Sequence, residues 1–515
     1  MEQATSGSRL ARILPDVSPL SDSHEFRLLY ASQALTGLGR QLTIVASAYQ
    51  VFVLTDSSLA VGLLSLSQLV PLLLCSFVGG AWADAFDRRT LLLVTQAGLL
   101  VTCAALALNA GSDEPALWVV FVATSAAAGL SAIDGPARTS AVPTLVRRRH
   151  VPAAQALAQV QSQIVGIVGP AVAGLLIAQV SLGSVYWIHA GTCVGGFLLQ
   201  WRMRPMPPYD GGTPATLGSV IEGLRYVRRQ PVILGVLLAD LNAMVFGMPR
   251  ALFPQIAIEQ FDGTATTVGL LYAAPGVGAL IGALTTGWIA RVRHHGRGVV
   301  LAVAAWGISV TAFGLVNWLP LALCLLAVGG AADVVSAVLR STIIQLQAPD
   351  RLRGRLWSLN IAIIAGGPRL GDVRAGAAAA VSPAFSVVSG GLICTAGIAG
   401  INALLPQLKP LLRQLRDAKD KLTDTDVHEV LSEAAATNGG GEEGRQVGVA
   451  FLEVRRLLEA LEESGILLRD IDRGLLDFPA VIAGEEIYLC WELGEDEVAY
   501  WHDLESGYGG RRPLD

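Results

Sequence analysis

The sequence predicts an all-α membrane protein with twelve transmembrane helices in two six-helix halves, followed by a small α+β cytoplasmic tail. Three observations support this fold class: the composition, the number of long apolar segments, and the distribution of arginine among the loops. The 515 residues are 52% hydrophobic and only 15% charged, and they include 56 glycines. A water-soluble protein needs more surface charge than this, whereas glycine-rich apolar sequence suits helices that pack against one another in lipid.

Twelve apolar segments are long enough to cross a membrane, because about 20 helical residues at ~1.5 Å each span the hydrocarbon core. We place the first six at residues 28–53, 59–81, 90–110, 116–136, 155–179 and 184–201. We place the second six at residues 231–254, 267–290, 298–317, 319–339, 356–381 and 384–405. The predicted units are an N-terminal segment (1–24), a first bundle (25–201), a linker (202–230), a second bundle (231–405) and a soluble acidic tail (406–515).

Arginine occurs in the N-terminal segment and in every second loop. This set consists of Arg9, Arg12, Arg27, Arg88, Arg89, Arg147, Arg148, Arg149, Arg202, Arg204, Arg225, Arg228, Arg229, Arg291, Arg293, Arg297, Arg351, Arg353 and Arg355. The alternate loops, at about residues 54–58, 111–115, 180–183, 255–266, 318 and 382–383, contain no lysine or arginine. Because basic loops stay in the cytoplasm, we expect a multi-pass protein of the inner (cytoplasmic) membrane with both termini in the cytoplasm.

The net charge of −5 conceals two parts of opposite sign. From Lys409 onward the tail contains 12 Lys/Arg and 24 Asp/Glu, a net charge of −12, which leaves +7 for the remainder. The arginines are spread over helix ends, so we expect no nucleic-acid partner. No nucleotide-binding P-loop occurs, and none of the six cysteines forms a CxxC pair. We therefore expect no enzyme activity, no cofactor and no metal site, with the cysteines packing as small apolar side chains.

The loop between the second and third segments combines glycine, carboxylates and a basic pair. It reads GGAWADAFDRR over residues 79–89, and its candidate gate residues are Gly80, Asp84, Asp87, Arg88 and Arg89. GxxxD followed by two arginines resembles the signature loop of the major facilitator superfamily, although Ala85 and Asp87 stand where that family often has a basic residue and a glycine. The resemblance implies a cytoplasmic gate in which Asp134 is the partner of Arg88. The alternative is that the two arginines only anchor the topology.

The fifth segment contains GIVGPAVAG over residues 166–174, with Gly166, Gly169, Pro170 and Gly174 as its candidate residues. It resembles the GxxxGPxxxG element that exporters of this superfamily, more than importers, carry in helix five. Glycines let helices approach closely, and an interior proline frees a backbone carbonyl and bends the helix. The alternative is a packing face without directional meaning.

Two pairs of similar sequences, with their members six segments apart, predict that the halves are pseudo-repeats. Segment eleven contains GGPRLGD at residues 366–372, a second Gly-Pro element. Arg138 begins RTSAVPTLVRRRHVPAAQAL before segment five, and Arg340 begins RSTIIQLQAPDRLRGRLWSL before segment eleven. Transporters with such repeats place their site at the interface between the halves. Together with TGLGRQLTIVASAYQVFVLT and GPARTSAVPTLV, GGPRLGDVRAG resembles the enterobactin-exporter branch of the superfamily over about residues 20–405.

Charged residues inside a membrane are costly, so we interpret them as functional by default. The candidates for proton coupling or for lining a cavity are Asp240, Arg40, Asp333, Arg369 and Asp372. Asp240 lies roughly 14 Å into segment seven, near the midplane, at ~1.5 Å per residue. We consider it either a proton carrier or part of a structural ion pair. His189, about one turn inside segment six, is interpreted as a packing histidine.

The tail is predicted to contain helices at residues 407–436 and 442–464 and short strands at 487–491 and 498–501. Its segments DRGLLDFPA, YLCWELGE and AYWHDLESGYGGRRPL resemble a small bacterial family of unknown function, and the likeness begins near Asn402, inside the last span. Cys490, His502 and Asp503 match no known metal-site spacing. We therefore expect the tail to stabilise the protein or to bind a partner, which is undefined.

The resemblance implies a secondary transporter that exports siderophore-like or drug-like small molecules by proton antiport, while two bundles rock about a central cavity. The implied partners are the small-molecule substrate, protons as the coupling ion and the lipid bilayer. Arg40 and Arg369 would attract anionic or polar aromatic cargo. The alternatives are a broad multidrug efflux pump, an importer, or a membrane sensor that signals through its tail.

Overall fold

The computed structural model describes residues 16–207, 231–285, 289, 295–347 and 350–402 of the helical body. In the tail it describes residues 467–470, 475–482, 485–491, 500–503 and 510–513. Most of the predicted linker and both predicted tail helices therefore lie outside the described residues.

Within the described part of the body, twelve helices of 16 residues or more follow one another, six on each side of the linker. Helices α1–α6 are His24–Thr55, Ser58–Ala85, Arg88–Ala110, Leu117–Leu145, Val151–Gln179 and Leu182–Trp201. Helices α7–α12 are Pro231–Phe246, Ala265–Thr285, His295–Leu315, Leu319–Gln347, Asp350–Ala378 and Pro383–Asn402. This order agrees with the predicted six-plus-six arrangement of a helical membrane protein.

Nine segments of the described chain are long and apolar enough to cross a membrane, and Pro383–Ala399 of α12 is a shorter apolar helix. Helices α1 and α11 have sufficient length but are not among the nine. Both carry charged residues, including Arg40 in α1 and Arg369 in α11. Polar residues lower the hydropathy of α1, whereas several side chains of α11 lie outside the described residues.

The apolar side chains of the body divide between an interior and an outer surface. Val45 and Leu252 are fully buried between helices, whereas Leu74, Val101 and Leu284 are 63%, 68% and 72% exposed. Large apolar side chains are exposed over most of the helices, which suits a lipid environment rather than water.

Short polar caps set the tight turns between consecutive helices. Four capping side chains accept a hydrogen bond from a backbone N–H in the first turn: Ser23 from Phe26 (3.1 Å), Ser57 from Ala60 (3.3 Å), Asp87 from Thr90 (2.8 Å) and Ser181 from Ser184 (3.2 Å). These caps satisfy N–H groups that a helix start leaves without an intrahelical partner. At the end of α1, Asp56 adopts a left-handed conformation with φ of 49°, which reverses the chain into α2.

The two bundles have the same helix contacts, displaced by six helices. In the first bundle α1 packs against α5 and α6, α2 against α4, and α3 against α4 and α6. In the second bundle α7 packs against α11 and α12, α8 against α10, and α9 against α10 and α12. Between the bundles, α2 packs against α11 and α5 packs against α8. This correspondence confirms that the halves are pseudo-repeats.

Helix α7 is shorter than the segment predicted at residues 231–254. It ends at Phe246, and the chain continues through a 3₁₀ turn at Arg250–Leu252. Gly247 and Pro249 account for the break, because proline lacks an N–H donor and disfavours a helical conformation of the preceding residue. Hydropathy did not reveal the break, since the residues around it are apolar apart from Arg250.

The described part of the tail forms a five-stranded antiparallel sheet in which neighbouring strands are consecutive in the chain. The strands are β1 (Leu467–Asp470), β2 (Leu475–Ile482), β3 (Glu485–Trp491), β4 (Tyr500–Asp503) and β5 (Arg512–Pro513). The predicted strand at 487–491 lies within β3, and the one at 498–501 only partly overlaps β4. Strands β1, β2 and β5 were not predicted from the sequence, and Pro479 within β2 is a residue that strands ordinarily disfavour.

Candidate functional site

A group of three charged residues lies on α1 and α4 of the first bundle. On α4, Asp134 accepts hydrogen bonds from Arg138 one turn away, from Nε at 2.7 Å and from Nη2 at 3.2 Å. Thr95 of α3 also donates its hydroxyl to this carboxylate, at 3.3 Å. Arg40 of α1 is near enough to be influenced by the charges of Asp134 and Arg138 but, in the described part of the chain, forms no salt bridge with Asp134, and its side chain is exposed. We call Arg40, Asp134 and Arg138 the first ion group; its formal net charge is +1.

A second group lies on α7 and α10 of the second bundle. Asp240 is fully buried, and its Oδ1 is 2.8 Å from Nη2 of Arg340, which is also buried. Arg340 further donates to the hydroxyl of Ser336 at 2.7 Å and lies 4.0 Å from the partly accessible carboxylate of Asp333. Asp240, Asp333 and Arg340 form the second ion group, with a formal net charge of −1.

The buried contact between Asp240 and Arg340 is an ion pair without well-aligned hydrogen bonds. Neither carboxylate oxygen of Asp240 meets hydrogen-bond geometry among the described residues, although Oδ1 is within 2.8 Å of the guanidinium. Opposite charges in a water-poor interior attract strongly whatever their alignment, so a separation of 2.8 Å makes this contact an ion pair. A structural ion pair is one of the two roles that the sequence left open for Asp240.

The two ion groups occupy equivalent helices of the pseudo-repeats. Helix α4 corresponds to α10, and each has 29 residues. Arg138 and Arg340 each lie seven residues before the end of their helix, at Leu145 and Gln347 respectively. The first group contains two arginines and one aspartate, and the second contains one arginine and two aspartates. The halves therefore present opposite net charges at matching depth.

The other predicted cavity residues lie on α11. The buried carboxylate of Asp372 accepts a hydrogen bond at 3.1 Å from the backbone N–H of Ala251, at the turn that follows α7. Arg369 donates from Nη1 to the carbonyl of Ala365 at 2.5 Å, and its Nε has no hydrogen-bond partner among the described residues. Asp372 thus stabilises the non-helical turn between α7 and α8, while Nε of Arg369 remains available to donate a hydrogen bond.

The predicted gate loop joins α2, α3 and the end of α6. Asp87 caps α3 and also accepts a hydrogen bond at 2.5 Å from the N–H of Met206. Arg88 donates to the hydroxyl of Ser140 at 3.1 Å and to the carbonyl of Pro207 at 3.2 Å. Arg89 donates to the carbonyls of Gln200 and Trp201, where a basic side chain favourably meets the negative end of α6. Gly80 and Asp84 lie in the last two turns of α2, and the side chain of Asp84 is outside the described part.

In this conformation Asp134 and Arg88 have different partners. Asp134 binds Arg138, and Arg88 binds Ser140 and a backbone carbonyl. Arg138 competes for Asp134 because it lies one helical turn away on the same face, where side chains meet without any rearrangement. The Arg88–Asp134 contact predicted from the sequence is not formed here.

Close contacts between the bundles occur at glycines on the side of the arginine-free loops. A Cβ atom at Gly174 of α5 would lie 2.5 Å from the carbonyl oxygen of Ala265 and 2.9 Å from Cα of Gly269, both in α8. A Cβ at Gly62 of α2 would lie 2.5 Å from the carbonyl oxygen of Asp372 in α11. Only glycine permits this backbone-to-backbone approach. Both inter-bundle helix pairs are therefore in tight contact at this end of the molecule.

The remaining residues of the helix-five element contact α1. A Cβ at Gly169 would lie 2.4 Å from Cβ of Gln41, whereas one at Gly166 would be 3.8 Å from the nearest atom of the same side chain. Pro170 lies inside α5 and is buried. The element therefore has two faces, with Gly169 packed on α1 and Gly174 packed on the other bundle.

His189 lies in a buried polar cluster inside the first bundle. Its Nδ1 is 2.6 Å from the hydroxyl of Thr43 and 3.1 Å from Sγ of Cys103, and Cys193 lies nearby. Hydrogen bonding of this kind fits the packing histidine predicted from the sequence. The proximity of the two cysteines could not be predicted, because they are on different helices.

Two family models match different and overlapping parts of the chain. Residues 15–435 match the model of a family described as transmembrane secretion effector. Residues 397–514 match the model of an uncharacterised conserved protein family. The two matches overlap over residues 397–435, which include the end of α12.

Curated relatives and solved structures match the helical body. The chain is 28% identical over 420 residues to the enterobactin exporter EntS of Shigella boydii, an alignment that covers 80% of this chain and 98% of the relative. A POT family transporter in complex with 5-aminolevulinic acid superposes with a TM-score of 0.61 at 9% identity, over 77% of this chain and 99% of the other. A bacterial homologue of the iron transporter ferroportin, in its inward-facing state, gives a TM-score of 0.55 at 15% identity, over 76% and 99%. At these identities the structural likeness establishes the fold alone.

Proposed function

Because the chain belongs to the transmembrane secretion effector family of the major facilitator superfamily, we propose that it exports small molecules across the cytoplasmic membrane by proton antiport. The cargo class we propose is siderophore-like or drug-like molecules that carry anionic or polar aromatic groups. The similarity to the enterobactin exporter over 80% of the chain supports export of small molecules. The observation that carries the mechanism is the pair of ion groups on equivalent helices of the two halves.

The bundles alternate between two arrangements in this proposal. The glycine contacts of α5 with α8 and of α2 with α11 close the end that bears no arginine in its loops. If the arginine-rich loops are cytoplasmic, as the positive-inside rule predicts, the present conformation is closed on the side away from the cytoplasm. Export then requires these contacts to separate while the opposite ends of the bundles come together.

The two ion groups favour closure at the arginine-rich end. The first has a net charge of +1 and the second a net charge of −1, and Arg138 and Arg340 each lie about two turns from the helix end on that side. Opposite charges attract as the ends approach and water is excluded, because the interaction strengthens as the local dielectric constant falls. Charged cargo bound between the halves would either add to the attraction between the two ion groups or take the place of one group in it.

Asp240 is the proposed proton carrier. Its carboxylate is buried against Arg340, and Asp333 is a second carboxylate on the other side of the same guanidinium. Protonation of Asp240 neutralises one partner of the pair, so Arg340 turns to Asp333 and the arrangement that binds cargo is lost. Loss of the proton restores the Asp240–Arg340 pair and with it the cargo-binding arrangement. Proton and cargo therefore bind alternately, as antiport requires.

Reconstituted protein in liposomes tests this function. An imposed pH gradient should drive uptake of a catecholate siderophore or of a lipophilic dye into vesicles that contain the protein, and dissipating the gradient with a protonophore should stop it. A parallel comparison of the metabolites retained by cells with and without the gene, in iron-rich and iron-poor medium, identifies the cargo. Ligand binding without any gradient-driven flux would favour a membrane sensor and contradict the proposal.

A further inference from the structure

Three chemically reactive side chains meet on one face of the tail sheet. Asp477 of β2 is directly opposite Cys490 of β3, and Cys490 is opposite Tyr500 of β4. His502 follows Tyr500 by two residues and so points to the same face, because side chains alternate along a strand. Asp477 and Cys490 are fully buried and His502 is 3% exposed. Three neighbouring strands thus bring a carboxylate, a thiol and an imidazole together inside the tail.

Their separations match those of ligands around one small metal ion. Nε2 of His502 is 3.3 Å from Oδ2 of Asp477, and one potential ligand atom from each of the three residues lies within 4.8 Å of the others. In a tetrahedral zinc site with bonds of ~2.0–2.3 Å, ligand atoms are ~3.3–3.8 Å apart. The nitrogen–oxygen distance already equals that separation, and the sulfur of Cys490 lies within 4.8 Å of both atoms.

The hydrogen bonds of His502 leave Nε2 to face the carboxylate. Nδ1 lies 2.7 Å from the backbone carbonyl oxygen of Asp503, and since a carbonyl only accepts, Nδ1 carries a hydrogen. In the neutral ring Nε2 then has a lone pair directed at an oxygen of Asp477, and two lone pairs repel unless a cation lies between them. A carbonyl on the far nitrogen is the partner that metal-binding histidines ordinarily have.

The carboxylate supplies an independent observation. Oδ1 of Asp477 is buried and has no hydrogen-bond partner in the part of the chain that the structure describes. Oδ2 accepts a hydrogen bond from Nε of Arg469 at 2.7 Å, and this arginine also lies over the ring of Tyr488. If both nitrogens of His502 carried a hydrogen, Nε2 would donate a second hydrogen bond to Oδ2 of Asp477, and Oδ1 would still have no partner. A metal ion in the cluster satisfies the buried carboxylate at less cost than an orphaned oxygen does.

We propose that the tail binds one Zn²⁺ ion through Asp477, Cys490 and His502, with a fourth position for water or another ligand. A donor set of one sulfur, one nitrogen and one oxygen suits zinc, whereas Ca²⁺ and Mg²⁺ require oxygen donors and iron–sulfur clusters require several thiolates. A thiolate and a carboxylate neutralise the two charges of the ion. Arg469 is then a positioning residue that holds the carboxylate from outside.

The ion would fasten the centre of the sheet. Its ligands come from β2, β3 and β4, within a stretch of 26 residues from Asp477 to His502. Because such a site does not exist in the unfolded chain, the free energy of zinc binding contributes to folding of the sheet. Removal of zinc should therefore loosen the tail and leave the transmembrane helices unchanged.

The test uses the full-length protein in detergent, with Cys103 and Cys193 replaced by alanine so that only the tail cluster remains. After treatment with a chelator, the protein is titrated with Zn²⁺ and then with Co²⁺, and bound metal is counted by mass spectrometry. We expect one ion per chain and, with Co²⁺, a sulfur-to-cobalt charge-transfer absorption. In this background C490S should lose the charge-transfer absorption. C490S and H502N should each fail to bind one ion per chain. The control C394S should keep both the absorption and the bound ion.

Folding of the variants is checked separately, because a misfolded tail also fails to bind metal. Limited proteolysis of the full-length protein with an unsubstituted tail, with and without Zn²⁺, needs no tail variant. Zinc should slow cleavage within the tail. The proposal is overturned if the unsubstituted tail resists proteolysis equally with and without zinc and binds no ion. It is also overturned if C490S and H502N bind zinc as tightly as the parent.

Discussion

At the residue scale, the buried contact between Asp240 and Arg340 decides how the second bundle responds to a proton. Breaking a buried ion pair by removing one partner typically costs about 3–5 kcal/mol, because the remaining charge is left uncompensated. Here the cost should be at the lower end, since Asp333 lies 4.0 Å from the same arginine.

We predict that D240N abolishes proton-driven export while the protein still reaches the membrane. The amide cannot exchange a proton, so cargo and proton fluxes are no longer linked. Substrate-driven proton movement in proteoliposomes measures this effect directly. D56N is the matched control, because Asp56 is exposed and asparagine tolerates its left-handed conformation. Full gradient-driven transport by D240N would remove Asp240 from the mechanism.

Asp134 offers a second test at this scale, because sequence and structure assign it different partners. Single charge reversals at Asp134, Arg138 or Arg88 should each impair transport. If the observed pair matters, the double variant D134R/R138D should regain activity relative to D134R. If the gate contact predicted from the sequence forms in another conformation, D134R/R88D should regain activity instead. Transport rates of the five variants at equal expression distinguish the two pairings, and rescue by neither double variant argues against both.

At the element scale, the glycine contacts between α5 and α8 determine which conformation is favoured. G174A would place a methyl group 2.5 Å from a backbone carbonyl oxygen in α8, so the helices must separate. Overpacking of this kind costs about 1–3 kcal/mol, which corresponds to a ~5- to 150-fold shift in a conformational equilibrium. We predict that G174A shifts the population toward the state in which the arginine-free end is open.

Distances between spin labels at the arginine-free ends of α5 and α8 measure this shift. G191A is the matched control, because a Cβ atom at Gly191 would meet nothing within 4 Å. An unchanged distance distribution in G174A would show that the contact does not restrain the bundles.

At the scale of the whole molecule, the body and the tail match different families over 15–435 and 397–514. We predict that the tail is dispensable for transport. Helix α12 ends at Asn402, and the tail's net charge of −12 from Lys409 onward suits a solvated domain. A chain truncated near Arg413 keeps every residue of the twelve helices, whose backbone must remain paired in lipid. It should therefore insert and export at a rate close to that of the full chain.

Transport assays and protease accessibility of the truncated chain provide the measurement. Truncation inside α12 is the informative control, because it should prevent insertion. A chain ending near Arg413 that inserts normally yet transports nothing would make the tail part of the transport machinery.

The sequence alone determined the features that depend on local composition. Apolar segment length predicted two sets of six helices, since about 20 apolar residues suffice to identify a span wherever they occur. The repeated segments that begin at Arg138 and Arg340 predicted the pseudo-repeats. The GxxxD loop and the Gly-Pro element predicted the superfamily, because such motifs are contiguous in the chain.

Only the tertiary structure decided which charged residues meet. Arg340 lies 100 residues after Asp240, and no periodicity relates the two positions, so their pairing follows from the packing of α7 near α10. The same holds in the tail, where Nε2 of His502 faces the carboxylate of Asp477, 25 residues earlier in the chain. Strand register brings Asp477 opposite Cys490, and a shift of one residue would turn it to the other face. Hydropathy and spacing describe the chain locally, whereas contacts between distant residues depend on how the folded elements pack.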